Sequence, residues 1–85
     1  MNQITRMNLD LGNGIQIDSK RQTSDGTHWM VSINGKPAGS VRRFKNNRFE
    51  RFPLQAIDVK GKLLFESWDR TSKSLVETAA RAIKG

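Results

Sequence analysis

The chain has no cysteine, a single histidine and two prolines among its 85 residues. Without cysteine there are no disulfide staples, no thiol catalysis and no cysteine-ligated zinc. His28 stands beside Trp29 with no His, Cys or carboxylate cluster nearby in sequence, so it reads as structural or solvated. Long apolar runs are missing too: nothing approaches the roughly 20 residues of a membrane span. The opening MNQITRMNLDL lacks the apolar core of a secretory signal, so cytoplasmic residence off the membrane is expected. The acids at positions 10, 18, 25, 50, 58, 66, 69 and 77 are scattered, with no paired-carboxylate spacing. Gly12-Asn13-Gly14 is followed by neither Lys-Ser/Thr nor a helix, which excludes a phosphate loop. No enzymatic activity, cofactor or metal is expected.

Negative charge is also scarce, and its scarcity is local. The formal net charge is +7. Residues 1–35 carry three basic and three acidic side chains, whereas residues 36–62 carry eight basic and two acidic ones. Solubility alone requires no such clustering. The centre of the excess is Arg42 to Phe52, RRFKNNRFERF, where Arg42, Arg43, Lys45, Arg48 and Arg51 interleave with Phe44, Phe49 and Phe52 against one acid, Glu50. Cations attract phosphates at long range and aromatic faces stack on bases at contact, so this combination points to nucleic acid.

The remainder reads as short strands followed by one helix. Leu9 and Leu11, then Ile15 and Ile17, alternate with polar residues around Gly12-Asn13-Gly14, the pattern of a hairpin. Lys20 to Thr27 is polar and reads as a loop. Trp29, Val31 and Ile33 alternate up to Asn34-Gly35, a turn pair tolerant of positive φ. A three-residue loop there would set Trp29 across from Val41, and Pro37 belongs at a strand start or edge.

Leu54 to Val59 and Lys62 to Trp68 form a last strand pair around Lys60-Gly61, with Ile57, Val59 and Leu64 on one face and Leu54, Ala56, Leu63 and Phe65 on the other. Apolar on both faces, that pair is expected centrally, covered on each side. Trp29 and Trp68 are the best core candidates. Leu75, Val76, Ala79, Ala80 and Ile83 make a stripe at helical period, with Ser74 and Glu77 in the form of a capping box, or Thr71 or Ser72 as cap. The expected fold is therefore α+β: one small domain over residues 1–85, an antiparallel meander of five or six short strands with one C-terminal amphipathic helix packed on one face.

If Asn46-Asn47 is a two-residue turn, Lys45 pairs with Arg48, Phe44 with Phe49, Arg43 with Glu50, Arg42 with Arg51 and Val41 with Phe52. Alternation then sends Val41, Phe52 and the Arg43–Glu50 pair to one face, and Phe44, Phe49, Arg42 and Arg51 to the other. Burying two unpaired guanidiniums costs several kcal/mol, so the second face is expected outward. Lys36 and Lys60 would share the end of the sheet opposite this ribbon.

The run from Gly26 to Lys36, with Ser72-Lys73-Ser74 and Ala79 to Ile83, resembles the strand and final-helix portions of double-stranded-RNA-binding domains. That family carries an N-terminal RNA-contacting helix where this chain reads as a hairpin, so its site is not carried over. The outline of strands plus one helix is also similar to sheet-based DNA readers of the integrase-arm and plant-factor kinds, without their motifs.

These residues point to a small non-catalytic nucleic-acid-binding protein, for DNA in preference to RNA. Its contact residues would be Arg42, Arg43, Phe44, Lys45, Arg48, Phe49 and Arg51. The alternative is an interaction or inhibitor protein that docks the same basic surface, or an edge strand, on an acidic protein partner.

Overall fold

The computed structural model of the protein describes residues 3–45 and 52–83. Six strands follow one another, β1 (Gln3–Gly12), β2 (Ile15–Thr23), β3 (Gly26–Ile33), β4 (Lys36–Phe44), β5 (Leu54–Asp58) and β6 (Leu63–Ser67), before helix α1 (Lys73–Arg81). They pair in chain order into one antiparallel sheet, β1-β2-β3-β4-β5-β6, with α1 against β2, β4 and β5. This is the expected α+β meander. No helix among the described residues is long and apolar enough to cross a membrane.

Turn chemistry sets the first hairpins. Asn13 and Gly14 have φ of 55° and 77°, and Asn34 and Gly35 have 53° and 80°, the double positive φ of type I′ turns, whose twist suits a hairpin. The two turns lie side by side, where the Asn34 N–H donates to the Gly14 carbonyl at 2.9 Å. Trp29 does pair with Val41, by a different route from the expected three-residue loop. The turn is two residues, Ile33 pairs with Lys36, and a shift between Val31 and Ser32 leaves Ala38 as the extra residue beside Pro37.

The core forms where the alternating apolar face meets the helical stripe. Ile17, Trp29, Val31, Val41, Leu54 and Ala56 from the sheet pack with Val76, Ala79, Ala80 and Ile83. Ser72, not Ser74, caps the helix: its Oγ accepts the Leu75 N–H at 3.1 Å, satisfying one otherwise orphaned donor. At Gly39, with φ of 157°, a side chain would run into the Ile57 carbonyl oxygen, so only glycine lets β5 come this close to β4.

Three expectations are corrected. Lys20 to Thr27 is not a loop: β2 continues to Thr23, β3 begins at Gly26, and only Ser24 and Asp25 turn. Ladder hydrogen bonds to β1 and β3 hold this polar stretch extended without an apolar face. The β5–β6 pair lies at an edge, not in the centre. A shift between Ala56 and Ile57 pairs Leu63 with Ile57 and turns it away from the core, leaving it 47% exposed, while Leu64 packs inward. Trp29 is buried as expected, 6% exposed, but Trp68 lies past the end of β6 and is 51% exposed.

Candidate functional site

The expected ribbon is altered at its base. Val41, Arg42 and Arg43 pair with Ala56, Gln55 and Leu54, not with Phe52, Arg51 and Glu50. Pairing thus starts four residues further along the chain than a two-residue Asn46-Asn47 turn requires, and a longer connection joins β4 to β5. Asn46, Asn47, Arg48, Phe49, Glu50 and Arg51 lie outside the described residues. Because the offset is even, the division into faces survives: Val41 and Arg43 face the helix, and Arg42 and Phe44 face away.

That face away from the helix carries an ordered row. Ile4 on β1, Arg21 on β2, His28 on β3, Arg42 on β4, Gln55 on β5 and Glu66 on β6 are register partners in turn. Directly opposed residues of antiparallel strands share a face, so one residue from every strand lines up across the sheet. Arg6, Ser19, Met30, Ser40, Ile57 and Leu63 form the next row. Asp10 and Asp18 sit toward the opposite end of the strands, where the Ser32 hydroxyl donates to the Asp18 carboxylate at 3.1 Å. On β1 to β4 the cations of this face thus lie toward one end and the acids toward the other, while Glu66 on β6 shares the cationic row.

Arg42 is held on two sides. Its Nε donates to the Gln55 side-chain oxygen at 3.3 Å, and the Gln55 amide donates in turn to Glu66 at 2.9 Å. Its guanidinium carbon lies 5.1 Å from the centre of the Phe44 ring, in cation–π range. The Phe44 ring is half-buried and meets His28 edge-on at 5.6 Å and Phe52 at 6.4 Å. Its described neighbours therefore form an aromatic cluster beneath a guanidinium, and Phe52 belongs to that cluster, not opposite Val41. Burial, then the charges of Arg42 and Arg21, hold the His28 imidazole below its ordinary value of 6.5.

Arg43 and Lys45 go elsewhere. Arg43 points to the helix side, where its guanidinium donates to the Asp69 carbonyl at 2.6 Å. Exposed Lys45 follows the last residue of β4, its backbone N–H donating to the Asp25 carbonyl at 2.8 Å. Lys36 and Lys60 line one cleft of about 550 Å³ at the far end of the sheet, the shared end expected for them. Among the described residues the one ion pair is Arg81 with Glu77, 3.7 Å apart on the helix, so no carboxylate neutralises Arg21 or Arg42 within them.

Sequence reasoning missed Arg21 and the alignment of His28 with Arg42. Arg21 fell in the stretch assigned to a loop. Ser19 to Thr23 are polar at every position, so no alternation marked the continuation of β2.

No family model matches the chain, and no curated protein or solved structure is significantly similar to it.

Proposed function

We propose that the chain is a small non-catalytic nucleic-acid-binding protein that presents the helix-free face of its sheet to the ligand. One observation carries the reading: Arg21 and Arg42 flank His28 on adjacent strands of the helix-free face, with Glu66 two strands beyond Arg42 and Asp10 and Asp18 toward the other end. Guanidiniums that have no carboxylate within salt-bridge distance among the described residues attract phosphates, and their planes also stack on bases. Phe44 acts as the bed that fixes Arg42 in this reading, because the guanidinium already occupies the ring. The described part of the surface is Arg21, Arg42 and Phe44, with Arg6 in the next row. Arg48, Phe49 and Arg51, also expected as contacts, lie outside the described residues. Arg43, tied to the Asp69 carbonyl on the helix side, contributes to stability more than to contact.

The test is binding to mixed-sequence DNA and RNA, single- and double-stranded, from low to moderate salt. A nucleic-acid surface requires affinity that falls linearly with salt on logarithmic axes. No binding at low salt, or binding without that slope, removes the proposal. Capture of an acidic protein in place of nucleic acid would transfer the same face to the interaction-protein reading.

A further inference from the structure

Beside the row of cations the sheet has a small depression of about 120 Å³, lined by Arg21, Thr23, His28 and Met30. Three of the four lining side chains are hydrogen-bonding groups, and among the described residues no acid lines it. Arg42 stands on the other side of His28, one strand over. Adjacent strands are about 4.8 Å apart, so the two arginine backbones are separated by roughly 10 Å, with the imidazole midway. Arg21 lines the depression itself, and Arg42, held at Gln55 and Phe44, lies close enough on the other side for its charge to act on His28.

We propose that this depression is the seat of one backbone phosphate, contacted by Arg21 and His28 and faced on the far side by Arg42, while the Thr23 hydroxyl stays bonded to the Gly26 carbonyl and the Asp25 N–H. The proposal rests on the nucleic-acid reading above and names the contact within it. Three positive groups meeting around one anion is the arrangement that phosphate recognition uses, with arginine donating in a planar fork.

A consequence separates this seat from generic basic attraction. With the seat empty, burial first and then the charges of Arg42 and Arg21 disfavour a charge on His28. A phosphate between them reverses the local sign, so the imidazole takes a proton from water as the anion enters. The groups facing His28 are Arg21 from β2 and Arg42 from β4, with Phe44 against its ring. Glu66, the acid in the row, lies beyond Gln55 on the far side of Arg42. Uptake of a proton on binding makes affinity strengthen on acidification, by linkage. Each unit by which phosphate raises the His28 pKa strengthens binding about tenfold between neutral and acid limits.

The chain has one histidine, so its imidazole signal in a proton NMR spectrum needs no assignment by mutation. The experiment titrates that signal in the full chain from about pH 5 to 8, free, with a short single-stranded oligonucleotide, and with inorganic phosphate. Affinity for the oligonucleotide is measured over the same range for the natural protein and for His28→Gln. The expected result is a higher His28 pKa with oligonucleotide, a smaller rise with phosphate alone, and pH-dependent affinity that His28→Gln abolishes. An unmoved titration with oligonucleotide bound, or pH dependence retained in His28→Gln, overturns the seat and leaves nucleic-acid binding standing. A shift with inorganic phosphate and none with oligonucleotide overturns the backbone assignment in favour of a free anion. No binding of any nucleic acid at low salt overturns both proposals together. The wild-type titration decides the matter even if His28→Gln fails to fold.

Discussion

Arg42→Met separates contact from scaffold most sharply. The substitution keeps an unbranched stem over Phe44 and removes the charge, leaving the strand pairing of Arg42 with Gln55 and His28 to the backbone. If Arg42 meets a phosphate, one counterion fewer is released on binding. The slope of log affinity against log salt should fall by about 0.7 for a single strand or about 0.9 for a duplex. A charge-assisted hydrogen bond contributes about 1.5–3 kcal/mol, so affinity at low salt should drop about 10- to 100-fold. Two controls follow from the geometry. Lys36→Met lies in the cleft at the far end and should leave the slope unchanged. Arg43→Met breaks the donation to the Asp69 carbonyl, so it should cost about 1 kcal/mol of stability with the slope intact. The assay is fluorescence anisotropy at four or more salt concentrations, with thermal unfolding of each variant. Equal slope changes for Arg42→Met and Arg43→Met would refute the assignment to the helix-free face, and no change for Arg42→Met would refute the contact itself.

Further expectations are independent of any ligand. Ser72→Ala removes the acceptor for the Leu75 N–H and should cost about 1 kcal/mol, a fall in Tm of about 4–8 °C for a domain of this size. Gly39→Ala places a methyl group against the Ile57 carbonyl at a left-handed backbone position. It should destabilise by about 1–3 kcal/mol in chemical denaturation, and an unchanged midpoint would contradict the close approach of β4 and β5. The folded His28 titrates below the unfolded side chain, so between those two values the unfolded chain binds more protons. His28's contribution to stability is therefore full above about pH 6.5 and is lost as pH falls through the folded value. His28→Gln should remove that part of the acid destabilisation in urea titrations at several pH values. In acrylamide quenching, exposed Trp68 should be accessible and buried Trp29 protected, so Trp68→Phe should leave only protected emission.

The local patterns that predicted strands and the helix are those that need only near neighbours. Leu9 to Ile17 around Asn13-Gly14, and the stripe from Leu75 to Ile83, were legible because alternation and helical period are properties of short segments. Lys20 to Thr23 was not, because a polar strand is held by its partners' backbones and not by its own side chains. The cap moved from Ser74 to Ser72 because several hydroxyls in a row are equivalent until the chain's path selects one.

The candidate site divides the same way. That Arg42 and Phe44 share a face opposite Val41 and Arg43 follows from the period of a strand, and it held although the expected Asn46-Asn47 register did not. Which residues of β2 and β3 stand beside Arg42 depends on the extra residue at Ala38 and on where β2 bulges near Asp18. The sequence by itself determined the meander, the helix and, away from bulges such as the one that turns Leu63 outward, the side on which strand residues project. Only the tertiary structure decided that Arg21, His28 and Arg42 meet and that Trp68 stays outside. Alternation is written into each strand by its own stereochemistry, whereas alignment between strands is set by turns, bulges and backbone hydrogen bonds that almost any side chain permits.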